Sequence, residues 1–362
     1  MTIYEKLRVN LDKNPAGAPA SKALYKILET LFAPDEAAVA VCLTYIPKPL
    51  TAIAEKSGFQ PDLVEELCES MANKGIIYSR VKNGETGYSL LPLIPGVFEF
   101  PFMTGGGTAM HEKLGLLWEE YHYENQGYEF GSSPTPLTRV MPVEESLQET
   151  SEILPYEVLS EMMKRNTTFA LAECACRVSA GDKACNKPND VCLIFDKTAD
   201  FLIERKLAKK ITLDQAMDVL KRSEEAGLVH MTNNSQDRIN LVCNCCSCCC
   251  TLLTGLTKIK SPHPFAVGRW YADVDNSLCT GCGICRDERC PVEAIQVDES
   301  VAVITKETCI GCGLCKSECP ENAIKMIRRE GAVSPPATVM EMGASVLMEK
   351  GRLEAFMALN KS

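Results

Sequence analysis

This chain of 362 residues lacks two kinds of segment that would place it in a membrane or on a nucleic acid. No stretch approaches the roughly 20 consecutive apolar residues that a membrane-spanning helix requires, so any membrane role is expected to come through a partner. No long basic block is present either, and the net charge is −10 with a pI near 5.2. Because an acidic chain repels the phosphate backbone, we expect protein partners rather than nucleic acid.

The first residues do not resemble a secretory leader, and no nucleotide-binding motif is evident. The first residues, Met-Thr-Ile-Tyr-Glu-Lys, contain no apolar signal region. The triple glycine at 105–107 is followed by neither Gly-Lys-Ser/Thr nor a G-x-G-x-x-G context, which excludes a phosphate loop there. The chain nevertheless has 20 cysteines, which are concentrated in clusters with metal-ligand spacing. Such thiols indicate a reducing compartment, and we expect a cytoplasmic protein.

Near the C-terminus the cysteines form two runs of four, in which two residues separate the first three cysteines and a proline follows the fourth. The runs are Cys279, Cys282, Cys285 and Cys290, and then Cys309, Cys312, Cys315 and Cys319. Iron–sulfur clusters require thiolate ligands, and C-x2-C-x2-C with a later C-P is the two-cluster pattern. A zinc ribbon would show two separated C-x2-C pairs instead of triplets. The runs therefore predict two [4Fe-4S] clusters.

In the two-cluster pattern, the fourth cysteine of each run ligates the other cluster. We therefore assign Cys279, Cys282, Cys285 and Cys319 to one cluster, and Cys309, Cys312, Cys315 and Cys290 to the second. Four residues separate Cys285 from Cys290, whereas three separate Cys315 from Cys319. The longer loop is irregular, but Cys290 is still expected to be a ligand. The repeated segments 291–295 and 320–324 are expected to form short helices beneath the clusters. The segment from about 270 to 330 resembles a bacterial two-[4Fe-4S] ferredoxin, which implies single-electron transfer.

Residues 35–92 are typical of a winged helix. Helices are expected from Asp35 to about Tyr45, from Ala52 to Lys56 and from Asp62 to Asn73, and then a hairpin with Asn83-Gly84 at its turn. A DNA-reading module presents basic or amide side chains on its third helix. This helix instead carries four carboxylates, Asp62, Glu65, Glu66 and Glu69. We therefore expect a docking module that does not bind DNA.

Ten further cysteines flank a predicted pair of helices. They are Cys174, Cys176, Cys185, Cys192, Cys243, Cys245, Cys246, Cys248, Cys249 and Cys250. Six thiols in the eight residues 243–250 would be fragile if left free, whereas a metal centre stabilises them as thiolates. Zinc accepts four thiolates, but the neighbouring ferredoxin-like segment favours at least one further iron–sulfur cluster. Side chains of adjacent cysteines point in different directions, so one cluster cannot use all of Cys248, Cys249 and Cys250. We expect one site to combine Cys174, Cys176, Cys185 and Cys192 with some of the cysteines in 243–250. The surplus of thiols permits a second site.

The stretch from about 155 to 260 resembles a module of uncharacterised 4Fe-4S binding proteins of anaerobic bacteria. The resemblance rests on Cys-x-Cys-Arg at 174–177, Cys-x2-Pro-x3-Cys at 185–192, Gly-Leu-Val-His at 227–230 and Cys-Asn-Cys-Cys-x-Cys-Cys-Cys at 243–250. It implies electron transfer in an anaerobic setting but supplies neither partner nor substrate. His230 is interpreted as a hydrogen-bonded structural residue, with an accessory ligand as the alternative.

These observations predict an α+β multidomain protein with a helical cysteine-rich centre and no catalytic residue. Its parts are a winged-helix-like domain (1–95), a connecting segment (96–154), a cysteine-rich helical domain (155–268), a two-[4Fe-4S] ferredoxin domain (269–330) and a C-terminal helical tail (331–362). The tail helix, Ser345 to Leu359, is expected to pack on the body or on a partner subunit.

We expect the protein to relay single electrons through its clusters to a redox partner protein, without a substrate of its own. Two alternatives remain open. One is a redox-sensing winged-helix transcription regulator, and the other is a cluster-dependent thiol or disulfide reductase.

Overall fold

The computed structural model describes residues 1–147, 153–298 and 300–361. Helices and strands are mixed along the chain, which confirms the predicted α+β class. Within the described residues, no helix is long and apolar enough to cross a membrane.

The N-terminal part consists of helices and a small antiparallel sheet. Its elements are α1 (Ile3–Asp12), α2 (Lys22–Leu31), α3 (Pro34–Cys42), β1 (Lys48–Pro49), α4 (Leu50–Ser57), α5 (Pro61–Asn73), β2 (Ile77–Lys82) and β3 (Glu85–Leu90). Strand β3 pairs with both β1 and β2. The three predicted helices are present with slightly different ends, and the Asn83-Gly84 turn has positive φ at both residues, as the hairpin requires.

Helix α5 has one buried stripe and one acidic face. Val64 and Cys68 lie one turn apart and are fully buried against the N-terminal core. Asp62, Glu65 and Glu66 are exposed on the opposite side. The helix therefore keeps its carboxylates in solvent, where they repel a polyanion.

The middle of the chain is built around an antiparallel sheet. Its elements are α6 (Ala109–Tyr121), α7 (Gly127–Phe130), β4 (Thr138–Met141), α8 (Leu159–Met163), β5 (Phe169–Glu173), α9 (Ala175–Ser179), β6 (Asp190–Phe195), α10 (Asp196–Glu204), β7 (Lys209–Ile211), α11 (Leu213–Glu225), β8 (Val229–Asn233), β9 (Leu241–Cys245) and α12 (Thr251–Thr254). Among the described residues, six strands pair in the order β4-β8-β9-β6-β5-β7.

The prediction of a helical central domain is wrong, because this sheet forms its core. The central strands are short apolar runs of five or six residues, and hydrophobic periodicity does not separate such runs from buried helix. The first strand, β4, comes from the predicted connecting segment and pairs with β8. The sheet therefore crosses the boundary drawn at residue 155. The predicted helical pair is present as α10 and α11, with the strand β7 between them.

The C-terminal part contains two antiparallel strand pairs, β10 with β13 and β11 with β12, and three helices. Its elements are β10 (Trp270–Val274), β11 (Ile295–Asp298), β12 (Val301–Ile304), α13 (Leu314–Ser317), β13 (Ile324–Arg328), α14 (Val339–Glu349) and α15 (Leu353–Lys361). The short helices expected after each fourth cysteine are turns instead, since Glu293 and Asn322 have positive φ. The tail is two helices rather than one, because Gly351, with φ of 64°, ends the first.

The tail packs on the N-terminal part, as one of its two predicted placements requires. The Phe356 ring stacks on Tyr45 with ring centroids 5.6 Å apart, and the Asn360 amide oxygen accepts from the Tyr45 amide. The buried Lys350 ammonium lies 3.0 Å from Glu129. The two ends of the chain are thus held together by side-chain contacts.

A forked ion pair joins the N-terminal part to the end of α10 in the middle of the chain. The Arg205 guanidinium donates to both carboxylate oxygens of Glu69, at 2.5 and 3.0 Å, and to the Ser79 hydroxyl at 2.8 Å. The Arg205 side chain is only 7% exposed and that of Glu69 39%. Bidentate geometry and burial make this pair stronger than an ordinary surface ion pair.

The substitution Arg205→Ala is expected to destabilise the docking of the N-terminal part by about 1.5–3 kcal/mol, the usual value for hydrogen bonds to a charged group. Thermal unfolding monitored by circular dichroism should show a lower first transition. The matched control is Lys164→Ala, which breaks the exposed pair with Glu161 and should cost about 0–1 kcal/mol. Equal shifts in both variants would contradict the assignment of Arg205 as the main contact.

Candidate metal centres

Two cavities in the C-terminal part collect the eight cysteines of the two runs. One is lined by Cys279, Cys282, Cys285 and Cys319, and the other by Cys290, Cys309, Cys312 and Cys315. The fourth cysteine of each run therefore lies with the first three of the other run. This crossed grouping is the arrangement that the sequence pattern predicts for two clusters.

Glycines with positive φ shape the loops around these cavities. Gly281, Gly283, Gly311 and Gly313 have φ between 68° and 82°. A Cβ at Gly311 would collide with the Trp270 carbonyl oxygen, and one at Gly313 with the Ser146 hydroxyl. At Gly311 both the backbone conformation and the Trp270 carbonyl oppose a side chain, so glycine is strongly favoured there.

Backbone amides also point at the sulfur atoms. The Ala294 amide donates to Cys290 Sγ at 3.2 Å and the Ala302 amide to Cys279 Sγ at 3.4 Å. Hydrogen bonds of this kind stabilise thiolate charge and raise the reduction potential of a bound cluster. The surroundings of both cavities thus favour cysteines in the thiolate form, which binds iron.

The irregular loop before Cys290 is a single π-type turn, Cys285–Arg289. The turn accommodates the additional residue, so Cys285 and Cys290 each still line their cavities. It also buries Arg289, whose guanidinium donates to the Glu224 and Glu225 carbonyl oxygens at 2.8 and 3.1 Å. A cation at these carbonyls complements the C-terminal end of α11 and fixes the ferredoxin-like part on the central part.

The substitution Gly311→Ala should displace its loop and remove about four iron atoms per chain, the content of one cubane. The control is Gly331→Ala, since Gly331 also has positive φ but has nothing within 4 Å of an added Cβ. Both variants carry the same backbone strain, and only the first carries the collision. Iron and acid-labile sulfide, measured on anaerobically purified protein, should fall in the first variant alone.

The ten central cysteines separate into two groups in the structure. The Sγ atoms of Cys185, Cys246, Cys248 and Cys249 all lie within 4.8 Å of one another, and we call them the tetrad. The remaining six line a second cavity, which Cys246 of the tetrad also lines, and each thiol interacts electrostatically with the next. In that order they are Cys174, Cys176, Cys250, Cys245, Cys243 and Cys192, which we call the six-cysteine group.

The sheet brings the six-cysteine group together from distant parts of the sequence. Strands β5, β6 and β9 are neighbours, and they place Cys174 and Cys192 close to Cys243. Cys243 and Cys245 alternate with Asn244 on β9, so their side chains leave the strand on the same face. The group's cavity measures about 70 Å³, against about 20 Å³ for each of the two ferredoxin-like cavities.

The buried Arg177 supplies a positive charge between both groups. Its side chain is 1% exposed and donates to the Asn244 carbonyl oxygen. Burial alone would lower the pKa of this guanidinium, but its charge interaction with Cys174 and its hydrogen bond with Cys246 raise the pKa above its ordinary value. Hydrogen bonding from Cys249, aided by Arg177, in turn lowers the pKa of Cys246 to about 4. Thiolates are the form that binds metal.

Glu99 lies in the lining of the six-cysteine cavity, where a second charge of the thiolates' sign would be unfavourable. Burial raises its pKa to about 8, and Cys243 acts in the same direction. The carboxyl is therefore protonated at neutral pH. The Cys-x-Cys-Arg motif contained Arg177 but did not indicate what it does. No sequence pattern pointed to Glu99.

The other residues singled out in the sequence have structural contacts. His230 is buried on β8, and its Nδ1 lies 2.6 Å from the Asn244 amide oxygen, which agrees with a structural role. Cys68 is fully buried in the core, and the Cys42 thiol hydrogen-bonds the Ala38 carbonyl oxygen.

The cysteine groups are connected through two hydrophobic cores. Cys245 and Cys250 of the six-cysteine group share one core with Cys312. The second core contains Cys315, from the same ferredoxin-like cavity, together with Cys285 from the other. The six-cysteine group therefore adjoins the same core as one ferredoxin-like cavity, and the two ferredoxin-like cavities adjoin a second core together.

Residues 302–325 match the family described as a 4Fe-4S binding domain. The match contains the whole second run, Cys309 to Cys319. No curated protein matches the chain, and no solved structure does. With thiolate ligands grouped around shaped cavities, the chain is an iron–sulfur protein that binds at least one [4Fe-4S] cluster. Its general role is iron–sulfur electron transfer.

Proposed function

We propose that this protein relays single electrons between a redox partner and its central domain. Two [4Fe-4S] clusters would be held by the two crossed sets, which are Cys279, Cys282, Cys285 and Cys319, and Cys290, Cys309, Cys312 and Cys315. A further iron–sulfur centre would occupy the six-cysteine group. When bound, these clusters supply reversible one-electron chemistry.

The serial arrangement of the cysteine groups carries this proposal. Electrons cross protein only over short gaps, so a relay needs centres that follow one another closely. The shared core with Cys245, Cys250 and Cys312 brings the six-cysteine group against one ferredoxin-like cavity. The core with Cys285 and Cys315 brings the two ferredoxin-like cavities together. Packed apolar side chains keep water out of the intervening space and keep reorganisation small.

The outer end of the relay is suited to a protein partner. Cys282 is exposed, and the nearby Leu278 is 46% exposed. An apolar side chain beside an exposed ligand favours docking of an electron donor or acceptor at this end. The thiol-rich composition supports a reducing, oxygen-poor setting in the cytoplasm.

The N-terminal part supports docking rather than DNA binding. Its helices and hairpin have the order of a winged helix, and the third helix, α5, exposes Asp62, Glu65 and Glu66. A transcription regulator would need to bring this acidic face to a polyanion. We therefore infer a module with a winged-helix fold that contacts proteins.

A second candidate function, a cluster-dependent thiol or disulfide reductase, is favoured by one cavity. A space of about 270 Å³ is lined by Cys176, Cys248 and Cys249, together with His122 and Gln126. His122 Nε2 lies 3.2 Å from the Thr254 hydroxyl, and His122 Nδ1 lies 3.3 Å from the Gln126 amide oxygen. Burial lowers the pKa of His122, which leaves a neutral imidazole beside the cysteines. In such a reaction two electrons from the clusters and two protons would convert a disulfide to two thiols.

The substitution Cys312→Ala should remove about four iron atoms per chain and leave the signal of the central centre. The reason is that Cys312 lines one ferredoxin-like cavity and no part of the six-cysteine cavity. Iron analysis and electron paramagnetic resonance of the reduced protein measure both effects. Cys42→Ala is the matched control, since Cys42 lies outside every group and should leave the iron content unchanged. Loss of all cluster signals with unchanged circular dichroism would contradict separate centres.

The two candidate functions differ in the response of reduced protein to a small disulfide. An electron carrier that lacks its own substrate should keep its reduced visible spectrum when oxidised dithiothreitol is added without oxygen. A reductase should be reoxidised and release one dithiol for every two electrons. If reoxidation occurs, His122→Gln should slow it, whereas His263→Gln, an exposed residue outside the lining of this cavity, should leave it unchanged.

A further inference from the structure

We propose that the tetrad, Cys185, Cys246, Cys248 and Cys249, binds a single tetrahedral zinc ion that is separate from the iron–sulfur centres. All four Sγ atoms lie within 4.8 Å of one another, and those of Cys248 and Cys249 are 3.6 Å apart. These spacings correspond to four ligands around one ion.

The geometry distinguishes one ion from a cubane. A Zn–S bond of about 2.3 Å with tetrahedral angles places neighbouring sulfurs about 3.8 Å apart. In a [4Fe-4S] cluster each thiolate binds a different iron at its own corner, which spreads the four sulfurs further. Within the described residues, the tetrad is the one group of three or more possible ligands that meets the 4.8 Å limit. The two ferredoxin-like sets, which follow the cluster pattern, do not meet it.

The ligand set is that of a closed structural site. Four thiolates complete the coordination of zinc and leave no position for water or substrate. Three ligands come from the turn between β9 and α12, and Cys185 comes from the irregular segment between the turn Gly181–Lys183 and β6. An ion at the tetrad would therefore connect two segments that have little regular structure of their own.

An ion at the tetrad would also fix part of the neighbouring six-cysteine group. Cys245 and Cys250 flank the three tetrad ligands in the chain, and both are buried in the adjacent cavity. A redox-inactive ion that fixes residues 246–249 also fixes these two thiols on either side. Zinc at the tetrad would thus order the cluster ligands without carrying electrons itself.

The proposal does not depend on the relay, because a structural ion is compatible with a carrier or a reductase. The test uses the full chain, purified without oxygen from cells supplied with both iron and zinc. Metal analysis should give one zinc per chain. X-ray absorption at the zinc edge should show about four sulfur neighbours at about 2.3 Å. Fewer than three sulfur neighbours, or zinc well below one per chain, would overturn the proposal whether or not any variant folds.

A double substitution, Cys248→Ser with Cys249→Ser, then locates the ion. Cys248 is exposed and Cys249 half-buried, so the hydroxyls remain close to water. We expect complete loss of zinc with the iron content of the two ferredoxin-like sets retained. Cys42→Ser is the control and should keep the zinc. A loss of about four iron atoms would show a cluster at the tetrad, and a loss of one would show a mononuclear iron site. Either loss of iron, or zinc retained in the double variant, would overturn the proposal.

Discussion

The need to bury many thiolates close together is the constraint on which the rest of this structure depends. Sulfur ligands are useful to a metal only when deprotonated, and neighbouring thiolates repel one another strongly in a medium of low dielectric constant. The chain offsets this repulsion with a buried guanidinium at Arg177, with amides aimed at Cys279 and Cys290, and with a carboxyl at Glu99 that burial keeps neutral. The bound metal centres would supply the remaining positive charge.

The same constraint explains why most of the clustered cysteines lie on turns or irregular segments. A loop that wraps a cluster needs left-handed backbone, which glycine provides at Gly311 and Gly313. In the middle of the chain the cysteines are instead brought together by the sheet, because its neighbouring strands place them around one cavity. Both solutions leave the sulfurs next to apolar cores, and these cores connect the cavities in series. An electron path is therefore a property of the packing as much as of the ligands.

Residues 243–250 show how one short segment can serve two centres. Side chains of consecutive residues leave the backbone in different directions. Cys245 and Cys250 enter the buried cavity, Cys248 and Cys249 turn toward Cys185, and Cys246 belongs to the tetrad and also lines the buried cavity. A cavity at their junction is lined by Cys176 of the six-cysteine group and by Cys248 and Cys249 of the tetrad. The acidic face of α5 lies elsewhere and is free to meet a protein.

The sequence by itself determined the class of ligand, the crossed grouping of the C-terminal cysteines, the third helix and its acidic face, and the hairpin turn. These depend on local rules, because fixed spacing, Asn-Gly and positive-φ glycines act over a few residues. Only the tertiary structure decided that the centre is a sheet, that Cys185 joins Cys246, Cys248 and Cys249, and that Glu99 faces the remaining six. Those outcomes depend on which distant segments pair. Short apolar strands and closely spaced cysteines carry no information about their partners until the chain has folded.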